Sequence, residues 1–278
     1  MHLSGKTALV IGASRGLGRA VARRLGTDGC RLILPYYDWP ESVREMEEEF
    51  TARAFDYLAL STDLRREQEV AQLLNRAMAR YGRLDIVINN IERGGMPIVH
   101  GPYSEEQWQR EMATTLKAKW NVFQQSLPLL QQQSEAVMVV ISSIAGLTGR
   151  SGPAGLLFND GYAAANRAVS SFIETWARQG APRVRVNEIM LGFFAQRHAE
   201  ETRGWALLEK TQQQEIIHHT LLARTGKADD LVKAVLFLIK DADFMTGSTL
   251  RLDGGYILGG EKIPPMPQGI GGDLSIKT

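Results

Sequence analysis

The sequence predicts an α/β fold, namely a single domain built on a doubly wound, seven-stranded parallel sheet. Short β-rich runs alternate with longer segments of helical period along most of the 278 residues, which is typical of a parallel sheet with helices on both faces. Neither an internal repeat nor a Pro/Gly-rich linker interrupts this pattern before about residue 258. We therefore predict one domain over residues 1–258 and an irregular tail over the Gly- and Pro-rich residues 259–278.

The predicted strands are short runs rich in β-branched and other apolar residues. In chain order they are TALVI, RLILPYY, AFDYLAL, LDIVINN, AVMVVIS, RVRVNEIM and STLRLD. Segments such as GRAVARRLG and EQEVAQLLNRAMARYG carry the helical period between them, and the acidic run ESVREMEEEF is the expected solvated face of the helix after the second strand. Ligands of open parallel sheets bind at the carboxyl edge of the strands, so we expect the functional site there.

Composition narrows the class of function. With 32 basic and 31 acidic residues the net charge is +1, so we expect no nucleic-acid partner and no membrane partner. No apolar run approaches the roughly 20 residues that span a bilayer, and the first residues do not resemble a secretory leader, so a cytoplasmic location and a small-molecule substrate are expected. The single cysteine, Cys30, is expected to be buried. No metal site is predicted, because the neighbouring His218 and His219 would diverge on a helix.

A glycine-rich turn follows the first predicted strand. In LVIGASRGLGRAVARRL, the residues Gly12, Gly16 and Gly18 lie between that strand and the mouth of a helix. Glycine permits a tight turn and a close approach of backbone to a pyrophosphate, whose charge the helix N-terminus then stabilises. This context favours dinucleotide binding in a Rossmann-type fold.

These glycines resemble the signature T-G-x-x-x-G-x-G of the short-chain dehydrogenase/reductase family. The resemblance continues through STDL, RLDIVINN, VISSIAG, YAAAN, VRVNEIMLG and TGSTLRLDGGY. It implies that Asp63 and Leu64 border the adenine and that Asn89 holds the central strand near the cofactor. The full set of cofactor-binding residues that it implies is Gly12, Ser14, Arg15, Gly16, Leu17, Gly18, Tyr36, Asp63, Leu64, Asn89, Asn90, Asn166, Gly192 and Gln196.

The choice of dinucleotide depends on the end of the second strand. An acidic residue there would bind the ribose 2′-hydroxyl of NAD, but the matching residue is Tyr36. Arg15, inside the glycine turn, could reach the 2′-phosphate of NADP, or it could simply be a solvated arginine. We therefore favour NADP(H) over NAD(H). Other positions depart from the family pattern: Ile11 replaces a threonine, Glu92 stands in NNIE, and Gln196 replaces a threonine in LGFFAQ.

The resemblance also implies the catalytic residues of a hydride transfer between a nicotinamide and a carbonyl or alcohol carbon. Tyr162 would exchange the proton on oxygen, and Ser143 would hold that oxygen. Alternatively, the two are ordinary hydrogen-bonded packing residues. Their spacing is longer than in the commonest family pattern, so a segment around GLLFND is inserted before Tyr162. Its apolar residues, Leu156 to Phe158, would line a substrate pocket or a subunit contact.

Two catalytic residues of the family are missing. Asn166 replaces the lysine that lies four residues after the tyrosine, and Thr115 aligns with the asparagine that relays protons. Asn166 can bind the nicotinamide ribose but carries no charge, so Tyr162 should stay a neutral phenol, and reduction should survive better than oxidation. We weigh two hypotheses: an NAD(P)-dependent oxidoreductase of the carbonyl reductase or alcohol dehydrogenase type, and a non-catalytic relative that binds a dinucleotide, a small ligand or a partner.

Two further expectations concern assembly and access. Family members pair through the long helices that correspond here to EEQWQREMATTLKAKWNVFQQSLPLL and the Tyr162 segment, so the resemblance implies a homo-oligomer, tetramer before dimer. Trp108, Trp120 and Trp176 would be interface anchors or ordinary core residues. The segment 193–224 occupies the place of the family's substrate lid, and it would be either mobile or a fixed helical cover.

Overall fold

The computed structural model describes residues 1–91, 104–195, 205 and 208–259. Within these ranges, seven strands form one sheet in the order β3-β2-β1-β4-β5-β6-β7, and every neighbouring pair is parallel. The strands are β1 (Thr7–Val10), β2 (Arg31–Tyr36), β3 (Tyr57–Ser61), β4 (Ile86–Asn89), β5 (Ala136–Ser143), β6 (Val184–Leu191) and β7 (Thr249–Leu252). The predicted doubly wound sheet is confirmed, and its strand order reverses between β1 and β4.

Helices connect the strands. They are α1 (Gly16–Thr27), α2 (Pro40–Ala52), α3 (Glu67–Tyr81), α4 (Glu105–Glu111), α5 (Ala118–Leu130), α6 (Ala145–Thr148), α7 (Asp160–Gly180), α8 (Lys210–His219) and α9 (Ala228–Lys240). A π-helix, Met112–Lys117, joins α4 to α5 without a break, and short 3-10 helices span Gly152–Leu156 and Tyr256–Leu258. The acidic run predicted on a helix lies on α2, which buries Val43, Met46 and Phe50 and leaves most of its carboxylates outside.

The core lies on both faces of the sheet, because every residue of β1, β4, β5 and β6 is buried. Cys30 is buried, as predicted. Trp176 is also buried, with its ring stacked on Phe123 at a centroid distance of 4.4 Å. Of the two predicted roles of Trp176, interface anchor or ordinary core residue, the structure supports the second: on a helix that packs against the sheet, its large apolar surface is covered by this chain itself.

Two further findings in the described ranges concern membrane-spanning helices and metal-binding groups. None of their helices is both long enough and apolar enough to cross a bilayer. They contain no group of three or more His, Cys, Asp or Glu side chains that could hold a metal ion. The predicted tail falls almost wholly outside them, since only its first residue, Gly259, is described.

Candidate active site

The glycine turn has the geometry that a pyrophosphate needs. Gly12 follows β1 with a φ of +75°, and a Cβ built on it would lie 2.8 Å from the backbone oxygen of Asn90. A Cβ on Gly18 would lie only 2.1 Å from the backbone oxygen of Gly12. A side chain at either position would therefore push the turn, α1 and the end of β4 apart. The N-terminus of α1, which begins at Gly16, lies at the carboxyl edge of the sheet.

Two other predicted cofactor residues have structural roles of their own. The side chain of Leu17 packs into the core, so only its backbone amide is left to meet a phosphate. A Cβ on Gly192 would lie 2.7 Å from the Cα of Asp253, so the close approach of the segment after β7 itself requires glycine there. Ser14, in contrast, lines a pocket beside the turn.

This pocket lies where β1 to β4 end. Besides Gly12 and Ser14, three predicted residues, Tyr36, Asp63 and Leu64, lie in its wall. The wall also contains Asp38 and Thr114, which no sequence pattern marked. The remaining lining residues are Ile11, Gly12, Ser14, Pro35, Tyr37, Trp39, Thr62, Arg65 and Ile91. A pocket that continues from a glycine turn between the ends of β2 and β3 suits the adenosine half of a dinucleotide.

Two arginines flank this pocket, each over an aromatic ring. The guanidinium of Arg15 lies 4.4 Å from the ring centroid of Trp39, and that of Arg65 lies 5.2 Å from the ring of Tyr37. Arg65 also binds Asp63 through two hydrogen bonds of 2.7 Å, and these bonds hold the pKa of Asp63 below its usual range. Asp63 is therefore an ionised, fixed wall of the pocket.

Tyr162 and Ser143 meet at the same edge of the sheet. Ser143 is the last residue of β5, and its hydroxyl accepts a 3.2 Å hydrogen bond from the backbone N–H of Ala145. Tyr162 lies in the first turn of α7, where the side chain of Asn159 caps the helix by accepting from the Tyr162 N–H at 2.8 Å. Both side chains are buried, Tyr162 with 2% of its surface exposed.

The surroundings of Tyr162 favour the protonated form of its phenol. Burial is the main cause that raises the pKa of its phenol well above the usual range, and the negative charge of Glu111 raises the pKa further. The side chains of Ser143 and Asn166 act to lower the pKa of the phenol, and they oppose this shift without cancelling it. Tyr162 is therefore a neutral proton donor over the whole physiological pH range.

Asn166 does not supply the missing charge, but it retains a hydrogen-bonding role. Its Nδ2 donates to the backbone oxygen of Tyr162 at 3.0 Å. Its Oδ1 is buried, and no residue in the described ranges donates a hydrogen bond to it. A hydroxyl of the nicotinamide ribose is a donor of the kind that this oxygen lacks, so the residues present fit the cofactor.

Two ionisable residues beside the site were not predicted from the sequence. Glu111 and Lys119 lie four residues before and after Thr115, and all three are buried. Burial is the main cause that raises the pKa of Glu111 to about 7 and lowers that of Lys119 to about 7. The signal in the sequence was the spacing of four residues between each pair, which places them on one face of the helix. The predicted Thr115 is the middle member of this set.

The inserted segment covers Tyr162 from one side. It contains the 3-10 helix and Phe158, whose ring stacks on Phe193 at 5.4 Å and lies 5.6 Å from the ring of Tyr162. Trp205 and Tyr256 belong to the same apolar cluster. The insertion therefore packs within this chain, against the carboxyl edge of the sheet.

The remaining predicted cofactor residues lie around the glycine turn or beyond the described ranges. Asn89 is fully buried, and its Nδ2 donates to the backbone oxygen of Lys119 at 3.1 Å, which ties β4 to α5 near the turn. The side chain of Asn90 lies close to Gly12 and Gly18. Gln196 lies outside the described residues, as does Glu92.

Known proteins resemble this chain over nearly its whole length. The model of the family described as enoyl-(acyl carrier protein) reductase matches residues 12–257. The 3-oxoacyl-(acyl-carrier-protein) reductase FabG of Staphylococcus aureus is 29% identical over 257 residues, covering 91% of this chain and 98% of that protein. The 1,6-dihydroxycyclohexa-2,4-diene-1-carboxylate dehydrogenase of Pseudomonas putida is 33% identical over 267 residues, covering 91% and 93%.

Solved structures agree with this relationship. The crystal structure of a short-chain alcohol dehydrogenase from Sinorhizobium meliloti superposes with a TM-score of 0.79 at 25% identity, over 92% of this chain and 98% of that one. A short-chain dehydrogenase/reductase from Burkholderia xenovorans gives 0.77 at 27% identity, over 92% and 97%. Sequence, sheet order and the position of the tyrosine and serine lead to one conclusion: the chain belongs to the short-chain dehydrogenase/reductase family of oxidoreductases.

Proposed function

We propose that this protein is a carbonyl reductase of the alcohol dehydrogenase type, which uses NADP(H) in preference to NAD(H). The observation that carries the proposal is the meeting of Tyr162 and Ser143 at the edge of the sheet where the glycine turn also lies. A dinucleotide held by that turn, with Asn166 on its ribose, would supply the hydride.

The protein's own residues supply the proton and the orientation. Ser143 binds the carbonyl oxygen of the substrate and holds it against Tyr162. Tyr162 donates its proton to that oxygen as negative charge develops there. Because burial raises its pKa, Tyr162 carries its proton at neutral pH and can donate it, whereas the phenolate that would accept a proton from an alcohol is not populated. The favoured direction is therefore reduction.

The walls of the site favour an apolar substrate. Phe158, Phe193, Trp205 and Tyr256 pack around Tyr162 in one cluster. Aromatic walls bind the apolar parts of a ligand, while Tyr162 and Ser143 bind its one polar oxygen. The substrate class that suits this site is a ketone or aldehyde with an apolar group next to the carbonyl.

Turnover tests this proposal directly. The parent protein should bind NADPH in a fluorescence titration and reduce members of an aldehyde and ketone panel. Tyr162→Phe should bind NADPH as the parent does and lose nearly all turnover, because only the proton donor has gone. A parent protein that binds NADPH yet reduces nothing across the panel would instead be a non-catalytic dinucleotide-binding protein.

Cofactor preference has its own test. Arg15 and Arg65 place positive charge around the pocket, whereas Asp38 adds negative charge, so the preference for a 2′-phosphate depends on the arginines. We expect Arg15→Ala to remove most of the preference for NADPH and to leave NADH binding nearly unchanged. Arg24→Ala is the matched control, since Arg24 pairs with Asp28 at the far end of α1. Equal affinities of the parent for both cofactors would contradict the proposed preference.

A further inference from the structure

One buried carboxyl group connects the two elements that carry Ser143 and Tyr162. It belongs to Glu188 of β6, the strand between β5 and β7, and none of its surface is exposed. Moving an ionisable side chain into a protein interior costs free energy unless hydrogen bonds replace its contacts with water. Glutamate is therefore seldom fully buried without partners, and the partners of Glu188 indicate which elements it joins.

Three hydroxyl groups from three elements donate to this carboxyl group. The donors to Oε1 are Ser142 of β5 and Ser170 of α7, the latter at 3.0 Å. The donor to Oε2 is Thr249, which lies opposite Glu188 in β7 and donates at 2.6 Å. The two oxygens thus have different partners. Oε1 joins β5 to α7, whereas Oε2 joins β6 to β7, the edge strand of the sheet.

The two partners of Oε1 lie close in sequence to the proposed catalytic side chains. Ser142 directly precedes Ser143 at the end of β5. Ser170 follows Tyr162 by about two turns of α7, or about 12 Å at 1.5 Å per residue. Because the helix between these two residues is continuous, a bond that fixes Ser170 opposes sliding and rotation of the whole helix. Oε1 therefore holds the helix of Tyr162 against the strand of Ser143.

We propose that Glu188 is a positioning residue for carbonyl reduction: it holds α7 and β5 together, so that the side chains of Tyr162 and Ser143 reach the same carbonyl oxygen. This inference rests on the proposed function, because it concerns the alignment of the two groups that would bind that oxygen. A displacement of about 1 Å can lower the rate of a reaction by about 100-fold. The bond on Oε2 reaches only the edge strand, so it should stabilise the sheet without affecting the reaction.

Two substitutions of Glu188 separate alignment from stability. Glu188→Gln keeps an oxygen acceptor in the place of Oε1, and the hydroxyl of Thr249 can accept from the new amide, since a hydroxyl both donates and accepts. Glu188→Met has a similar length but no oxygen acceptor. We expect kcat for reduction of a ketone to fall by about tenfold in Glu188→Met, less than for a displacement of 1 Å. In Glu188→Gln it should stay near the parental value.

A binding measurement accompanies these kinetics. Titration with NADPH gives the concentration of folded sites, and kcat expressed per site then excludes molecules that have not folded. The glycine turn, which is remote from Glu188 in the sequence, is the main contact proposed for NADPH. The affinity of both variants for NADPH should therefore stay near that of the parent, so that the loss in Glu188→Met falls on kcat.

The hydroxyl donors provide a second set of variants, in which Glu188 itself is unchanged. Ser170→Ala removes the bond to α7 and should lower kcat by about threefold, a part of the loss that misplacement can cause. Thr249→Val removes the bond to β7 and should leave kcat unchanged, although each variant loses one hydrogen bond and a comparable amount of thermal stability. Ser171→Ala is the control on the same helix, because Ser171 is exposed, and it should change neither quantity.

Equal kcat in Glu188→Gln and Glu188→Met would overturn the proposal, and so would equal kcat in Ser170→Ala and Thr249→Val. A kcat that falls in proportion to thermal stability across these four variants would also overturn it, because the carboxyl group would then be merely structural. If Glu188→Met does not fold, the comparison of Ser170→Ala with Thr249→Val decides alone.

Hydrogen exchange separates this inference from the proposed function, because it requires no turnover. The amides of residues 163–170 should exchange faster in Ser170→Ala than in the parent, while Thr249→Val and Ser171→Ala should leave them unchanged. Unchanged exchange in Ser170→Ala would overturn the link through Oε1. A parent that reduces no carbonyl overturns the proposed function, whereas faster exchange in Ser170→Ala alone would still support Glu188 as the group that holds α7 against β5.

Discussion

At the scale of single residues, the chemistry of this site depends on the charge balance around Tyr162. The family resemblance predicts a lysine where this chain has Asn166, and the charge that raises the pKa of the phenol is the negative charge of Glu111. Both differences raise the pKa of the phenol. The site therefore favours a bound proton, and under the proposed function this balance favours reduction.

Restoring the lysine should change this balance. Asn166→Lys would put a cation one helical turn after Tyr162 and stabilise the phenolate that proton donation leaves behind. We expect carbonyl reduction to rise by at least about tenfold, which corresponds to roughly 1.4 kcal/mol of transition-state stabilisation. Steady-state kinetics with the same aldehyde and ketone panel measures this increase in the rate of reduction. Asn166→Met, of similar length but uncharged, is the control and should give no increase; an equal increase in both variants would remove charge as the cause.

A site residue could be predicted from the sequence only where it belongs to a recognisable sequence motif. Tyr162 and Ser143 stand in motifs, and the structure places them together. Glu111 and Lys119 do not, because charged residues at helical spacing usually belong to a solvated face, and only tertiary packing shows that this face is buried. Asp38 was missed for a related reason: the turn after β2 brings it back into the pocket wall.

At the scale of elements, the turn between β1 and α1 is fixed by contacts that leave no room for a side chain. We expect Gly18→Ala to weaken NADPH binding by at least about tenfold, or roughly 1.4 kcal/mol, because its Cβ would lie 2.1 Å from the Gly12 oxygen and displace the turn. Fluorescence titration measures it.

Gly82→Ala is the matched control for that substitution. Gly82 ends α3 with a φ of +69°, and a Cβ at this position would have no atom of the described residues within 4 Å. This variant should lower the free energy of unfolding by about 1 kcal/mol through backbone strain and leave NADPH affinity unchanged. Unchanged affinity in Gly18→Ala as well would show that the turn does not contact the cofactor.

The role of the inserted segment could not be predicted from the sequence. Its apolar residues suggested either a substrate pocket or a subunit contact, and sequence alone does not distinguish these. The structure places the ring of Phe158 near those of both Phe193 and Tyr162, so the apolar cluster at the carboxyl edge of the sheet includes a residue of the segment that the resemblance marks as an insertion.

At the scale of the whole molecule, periodicity was sufficient to predict the fold. Each of the seven predicted runs overlaps one of the seven strands, and where a run falls short of its strand it does so by one residue. The buried strands are rich in apolar residues, and the helices between them are amphipathic. Assembly could not be predicted in this way, because an apolar residue such as Trp176 can be buried in the core of one chain as well as at an interface between chains.

We expect a homo-oligomer in solution, a tetramer before a dimer. Trp108 and Trp120, on α4 and α5, remain 37% and 39% exposed in the single chain, so they are suited to burial against a second copy. Light scattering at micromolar concentration should give a multiple of the 30.8 kDa chain mass. Trp120→Glu should reduce the assembled fraction, whereas a parent that is already monomeric at that concentration contradicts the expectation.

The stack of Phe158 on Phe193 has a consequence for the kinetics of ligand capture. Because Tyr162 is only 2% exposed and its ring lies 5.6 Å from that of Phe158, we expect a substrate to reach the phenol only after the two stacked rings separate. The affinity measured for such a site is the intrinsic affinity multiplied by the open fraction, so a site open about one per cent of the time binds about 100-fold more weakly than its open form. Its observed rate of association then levels off at high ligand concentration, at the rate of ring separation rather than of diffusion.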